Sequence, residues 1–131
     1  MVDRRKYSRV KTNNLISHVT IDESGRWISQ GMSRALDISP SGIMIETAYP
    51  LDSGRLSMMT VDMNNNLIEI QGKLIYCRQS DTKMYHSGIH FIGNSDEITQ
   101  FVIQVVRVFS NRKNNLYFVH SNNRLSTIRS R

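Results

Sequence analysis

Two short clusters in this sequence combine residue types able to hold a planar, multiply charged anion. The first is Arg5-x-x-x-Arg9, directly preceded by Arg4, and the second is Asp37-x-Ser39-x-x-Gly42. A guanidinium is a permanently charged fork of five N–H donors that pairs bidentately with phosphate oxygens or with the O6/N7 edge of a guanine, and its plane stacks on purines. Lysine would keep the charge and lose the fork. An ionised carboxylate such as Asp37 only accepts, which suits the donor edge of a base, whereas the Ser39 hydroxyl can donate or accept. In an extended chain Arg5 and Arg9 lie about 13 Å apart, so they would grip different parts of a ligand. Each cluster alone has a plainer reading. Arginines four apart occur in many solvated arms, and Asp-x-Ser-Pro-x-Gly is also turn chemistry, with Ser39 bonding locally, Pro40 fixing φ and Gly42 releasing the turn.

The elements that must position these clusters follow from the hydrophobic pattern. The first dozen residues are polar and basic without a sustained period, which predicts an arm, taken here as residues 1–14. Strand-like segments then recur over Leu15–Ile21, Met32–Ile38, Gly42–Thr47, Arg55–Met63, Leu67–Cys77 and Met84–Phe91. Turn residues separate them at Glu23-Ser24-Gly25, Ser39-Pro40-Ser41-Gly42, Asp52-Ser53-Gly54 and Asn64-Asn65-Asn66. Six short strands predict a mainly β fold, a six-stranded antiparallel β-barrel. Gly72 interrupts an alternating apolar face, as at a barrel corner or a close backbone approach. From Asp96 to Phe109 the period changes: Ile98, Phe101, Val102, Val105, Val108 and Phe109 form one face of a C-terminal α-helix, and Asn94 with Glu97 has the form of a capping box. This helix is expected to plug the barrel mouth. Ile103 and Val106 fall outside its main stripe and offer a second contact surface, such as a homodimer interface. Residues 15–109 are thus read as barrel plus helix, and 110–131 as a basic tail with one apolar island at Leu116–Val119.

Together and in this order, before the strand Gly42-Ile43-Met44-Ile45, the two clusters resemble the signature of PilZ domains. Tyr85-His86-Ser87-Gly88-Ile89-His90-Phe91 resembles the last barrel strand of that family, and the likeness runs from about Asp3 to Phe109. The resemblance implies a PilZ-like split barrel that binds cyclic diguanylate (cyclic di-GMP) through Arg4, Arg5, Arg9, Asp37, Ser39 and Gly42, with no cofactor and no catalysis. It also implies an arm that orders over the ligand and signals to a downstream protein partner.

Bulk properties agree with a single domain that remains in the cytoplasm. The chain has 131 residues, 39% of them hydrophobic and 21% charged, with no apolar run long enough to span a bilayer and no apolar signal core. Cys77 is the single cysteine, so neither a disulfide framework nor a thiolate metal cluster exists. The net charge of +6 resides in the tail, because no acid follows Glu97 while Arg107, Arg112, Lys113, Arg124, Arg129 and Arg131 do. An enzyme is disfavoured, since His18, His86, His90 and His120 lie in no catalytic motif and His86 and His90 are about 13 Å apart along a strand. Two alternatives remain: a small barrel binding nucleic acid through its basic ends, which lacks paired exposed aromatics, and a ligand-independent adaptor, against which the intact arginine motif speaks.

Overall fold

The protein is described by a computed structural model covering residues 9–107 apart from 53 and 63. Arg4, Arg5, Phe109 and the tail 110–131 lie outside these residues. Six strands follow one another: β1 Val10–Ile21, β2 Trp27–Ile38, β3 Gly42–Thr47, β4 Arg55–Val61, β5 Leu67–Gln79 and β6 Tyr85–Ile92. Helix α1 occupies residues 95–107. All neighbouring strands are antiparallel, and the order β1-β2-β3-β6-β5-β4 closes through the β1–β4 pair into a barrel.

Alternation determines which side chains enter the barrel. In β3, Ile43 and Ile45 are buried between half-buried Gly42, Met44 and Glu46, and the core adds Ile16, Ala35, Ile38, Leu56, Met58, Ile70, Ile89 and Phe91. The helix contributes Phe101 and Val105 to this core, and the Phe101 ring meets Phe91 edge-to-face with centroids 5.8 Å apart. Its start is the expected capping box: the Glu97 N–H donates to Asn94 Oδ1 at 2.8 Å, and the Asn94 N–H donates to Glu97 Oε1 at 3.2 Å. Val106, assigned from the sequence to a second contact surface, packs against the core instead, while Ile103 stays exposed.

Several boundaries differ from the sequence reading: β4 ends at Val61 and not at Met63, β6 runs Tyr85–Ile92 and not Met84–Phe91, and three further differences have a physical reason. β1 begins at Val10 and not at Leu15, because its inward positions there are polar: Thr12 donates to the Ala35 carbonyl at 2.6 Å and Asn14 donates to the carbonyl of Val105 in α1. β2 begins at Trp27 and not at Met32. Residues 27–30 are exposed on both faces and pair with β1 through the backbone, so they show no hydropathy period. β5 continues past Cys77 to Gln79 for the same reason. Gly72 meets side chains more closely than backbone: a Cβ there would lie 2.3 Å from Ile89 Cγ2 and 3.0 Å from Met58 Cε.

Two hairpin loops use one device. Asp22 Oδ1 accepts from the N–H groups of Ser24 and Arg26 at 2.9 Å, with Gly25 at φ 84°. Asp62 Oδ1 accepts from Asn64 and Asn66 at 2.8 Å, with Asn65 at φ 65°. These bonds, that from the Asn66 N–H first, hold the Asp62 carboxyl below its usual range. The β5–β6 turn has no such residue: Lys83 sits at φ 70°, a left-handed backbone that a side chain disfavours by about 1 kcal/mol. Lys83→Gly is therefore expected to raise the thermal midpoint by a few degrees, equivalent to up to about 1 kcal/mol. An unchanged or lower midpoint would show that this turn carries no such cost.

His18 is buried on β1 with Nδ1 3.1 Å from Ser33 Oγ. Burial lowers its pKa from the ordinary 6.5, with the Asp52 carboxylate pulling the other way. A group depressed on folding binds its proton more readily in the unfolded chain, so its contribution is intact at neutral pH and declines as pH falls below about 6.5. Urea midpoints measured from pH 7.5 to 5.5 should fall more steeply for wild type than for His18→Gln. Parallel slopes would remove His18 from the account.

Candidate ligand-binding site

The strand pairing brings the two sequence clusters together. Residue 36 of β2 is bulged against β3, and β1 carries one extra residue between Lys11 and Asn14, so Lys11 stands opposite Asp37. Arg9, one residue before β1, extends over this point, and its Nη1 donates to Asp37 Oδ1 at 2.8 Å. The Asp37 side chain is only 9% exposed, whereas that of Arg9 is 32% exposed, so the pair presents its cationic half to solvent. One N–H on Asp37 leaves the guanidinium further donors, and a carboxylate oxygen that accepts once leaves Asp37 further acceptor sites.

Ser39 and Gly42 lie in the turn that follows. Strand β2 ends at Ile38, so Ser39 is beyond the strand face. Its N–H donates to the Gly42 carbonyl at 2.9 Å, and its Oγ lies 3.0 Å from Ser41 Oγ and accepts the Ser41 N–H at 3.3 Å. This is the local turn chemistry that the sequence allowed. Gly42 is required by a neighbouring strand: a Cβ there would lie 2.3 Å from the Ile89 carbonyl oxygen of β6. The Ser41 carbonyl also accepts from the Phe91 N–H at 3.0 Å, pinning the turn to β6.

Outward residues of adjacent strands form rows across this side of the barrel. One row runs Lys11, Asp37, Met44, Gly88, Tyr76 over β1, β2, β3, β6 and β5. The next runs Arg34, Glu46, His86, Arg78. In it Glu46 is held between Arg34 Nη2 at 3.2 Å and His86 Nε2 at 3.0 Å, so the acid on this row is already matched by bases. The surface is net basic around one buried acceptor, as an anionic ligand with base donors would require. A groove of about 530 Å³ elsewhere, on the outer face of β1, β2, β4 and the start of β5, includes Leu15, Trp27, Met32, Val61 and Leu67. None of the described residues lining that groove is Asp, Glu, Lys or Arg, so it offers no comparable chemistry.

The PilZ domain model matches residues 3–107, a span that includes both clusters and every described element. The chain belongs to the PilZ domain family. No curated protein matches it. Among solved structures it is similar to MotI/DgrA, the Bacillus subtilis inhibitor of motility, at 14% identity and TM-score 0.56, over 87% of this chain and 53% of that one. It is also similar to K. pneumonia MrkH in complex with c-di-GMP, at 15% identity and TM-score 0.58, over 86% of this chain and 55% of that one. Escherichia coli YcgR in complex with c-di-GMP gives 13% identity and TM-score 0.53, over 88% and 51%. The chain thus spans about half the length of each of these structures, and at such identities the likeness is one of fold.

Within this PilZ domain, sequence reasoning singled out Arg9, Asp37, Ser39 and Gly42, and folding gathers them at one end of β2. It missed Arg34, Glu46, Tyr76 and Arg78. These belong to no motif, and only the order β1-β2-β3-β6-β5 puts them beside the site. Among the described residues no group of three or more His, Cys, Asp or Glu side chains could hold a metal, and no helix is long and apolar enough to cross a membrane.

Proposed function

We propose that this PilZ domain is a cytoplasmic receptor for cyclic diguanylate that catalyses no reaction and passes the binding event to a protein partner. The observation that carries this reading is the Arg9–Asp37 pair, in which the arm's arginine motif lands on the strand's acidic motif. Two similar folds, MrkH and YcgR, were solved with this ligand, which supports the same class here. In the proposed mode Arg4 and Arg5 join Arg9 in gripping the phosphates and guanine edges, Asp37 accepts from a guanine's donors, and Ser39 and Gly42 hold the turn beneath. The arm's ordering costs conformational entropy, and Arg9, already seated on Asp37, reduces the part of that cost left to the ligand.

Isothermal titration with cyclic diguanylate, using the linear dinucleotide and GTP as comparisons, tests this reading. Saturable binding selective for the cyclic ligand is expected, and its stoichiometry distinguishes one bound molecule from a stacked pair. Absence of heat at millimolar ligand would overturn the receptor reading in favour of a ligand-independent adaptor. Affinity for duplex or RNA that falls steeply with salt would favour the nucleic-acid alternative.

A further inference from the structure

The apolar groove on the outer face of the barrel opens where two strands stop pairing. The ladder between β1 and β4 runs from Ile21–Arg55 to Ser17–Met59 and ends there, so Leu15 and Val61 lie past its last pair. Ile16 and Thr20 point into the barrel, so Val19 points outward, yet it is only 2% exposed and forms the groove floor. Leu15, Trp27, Met32, Val61 and Leu67 stand around it, and all five are exposed. Single apolar side chains are ordinary on a surface, but a contiguous concave group of them without a charged residue marks a place that something covers. Helix α1 leads to one end of this groove. Asn14, next to Leu15, donates through Nδ2 to the Val105 carbonyl, and Arg107 shares a cleft with Asp62 and Asn64, just past Val61. Residue 107 therefore sits at the Leu15–Val61 end.

We infer that the groove is the docking site for Leu116-Tyr117-Phe118-Val119 of the same chain, a segment outside the described residues. Although the tail is basic, the stretch from Asn114 to Asn123 that contains this island carries no Asp, Glu, Lys or Arg. An uncharged apolar segment thus meets an uncharged apolar groove, while Arg112, Lys113 and Arg124 on its flanks stay in water. The length of chain also fits. The nine residues from 108 to 116 reach about 30 Å when extended, whereas the groove runs about 20 Å, from Leu15 to Ile21 opposite Trp27. Tethering gives the island an effective concentration of roughly 1 mM at the groove, so a weak contact is filled without a partner. Another protein must displace the island to use this face. The inference is independent of the receptor reading, since neither groove nor island contains a motif residue.

Trp27 is the chain's single tryptophan and is 68% exposed on the groove wall, so its emission reports the occupant directly. In the full chain, Leu116→Asn/Phe118→Asn should shift that emission to longer wavelength and increase its quenching by acrylamide. Added salt should do neither to wild type, because no charge takes part. Emission unaltered by the island substitutions, or released by salt alone, would overturn the inference. A second measurement follows disulfide closure in a Cys77→Ser background. Met32→Cys with Phe118→Cys should close within one chain roughly tenfold faster, or more, than Ile75→Cys with Phe118→Cys, the latter joining the tail to an exposed position toward the far end of β5. Equal rates would mean that the tail meets every face alike, and a disulfide formed only between two chains would give the groove to a second copy. Either result overturns the docking of the chain's own island. Should a cysteine variant fail to fold, the fluorescence of Leu116→Asn/Phe118→Asn, whose changes lie outside every described element, decides.

Discussion

Replacing Gly42 by alanine is expected to destabilise the barrel by about 3 kcal/mol and to lower its thermal midpoint by roughly 10–20 °C. The added methyl would meet the Ile89 carbonyl oxygen at 2.3 Å. That oxygen is main chain, in the strand hydrogen-bonded to β3, and has no rotamer to change. Relief requires β3 and β6 to part at the Gly42–His90 register position, next to the point where the Phe91 N–H donates to the Ser41 carbonyl. Gly72→Ala is the informative control. Its methyl would meet Ile89 Cγ2 and Met58 Cε, both side-chain atoms, so repacking should limit the loss to about 1–2 kcal/mol. Thermal or urea denaturation of the two variants settles the ordering, and a Gly42 variant no worse than the Gly72 variant would contradict this account of the motif glycine.

Arg9→Ala is expected to weaken cyclic diguanylate binding by about 1–3 kcal/mol, a roughly 5- to 150-fold rise in Kd. It should also lower stability, because it strips the ion-pair partner from an Asp37 side chain that is only 9% exposed. The two effects separate in Arg9→Lys. An ammonium can still neutralise Asp37, so stability should stay near wild type, but the fork that reaches the ligand while one N–H rests on the carboxylate is gone. Calorimetric affinities beside melting curves for both variants make the check. Binding unchanged in Arg9→Ala would remove Arg9 from the site, and binding unchanged in Arg9→Lys would reduce its role to charge alone.

How far the sequence revealed this arrangement depends on where apolar residues carry the pattern. The barrel, its strand count and the capped helix were legible because Ile43, Ile45, Ile70, Phe101 and Val105 mark the inward face at the correct periods. The first residues of strand β1 were not legible, since Thr12 and Asn14 occupy inward positions by hydrogen bonding and not by hydrophobicity. The start of β2 was hidden because both of its faces meet water. At the site, motif spacing found Arg9, Asp37, Ser39 and Gly42, and it could not say whether Ser39 serves the turn after Ile38 or a ligand. It also could not distinguish a glycine kept for a ligand from one kept for β6. Tyr76 and Arg78 left no local trace, because their nearness to the site exists only once β6 lies between β3 and β5.

The side-chain bond from Asn14 to the Val105 carbonyl joins the strand that bears the arginine arm to the last described turn of α1. Coupling free energy has no direction. If seating a ligand under Arg9 strengthens the grip of β1 on this helix by some factor, then a protein that clasps the helix in the same position tightens ligand binding by that identical factor. Under the proposed receptor reading, the ligand concentration that fills the site would then depend on whether a partner is already docked on the helix, so that one chain would respond at different thresholds in different assemblies.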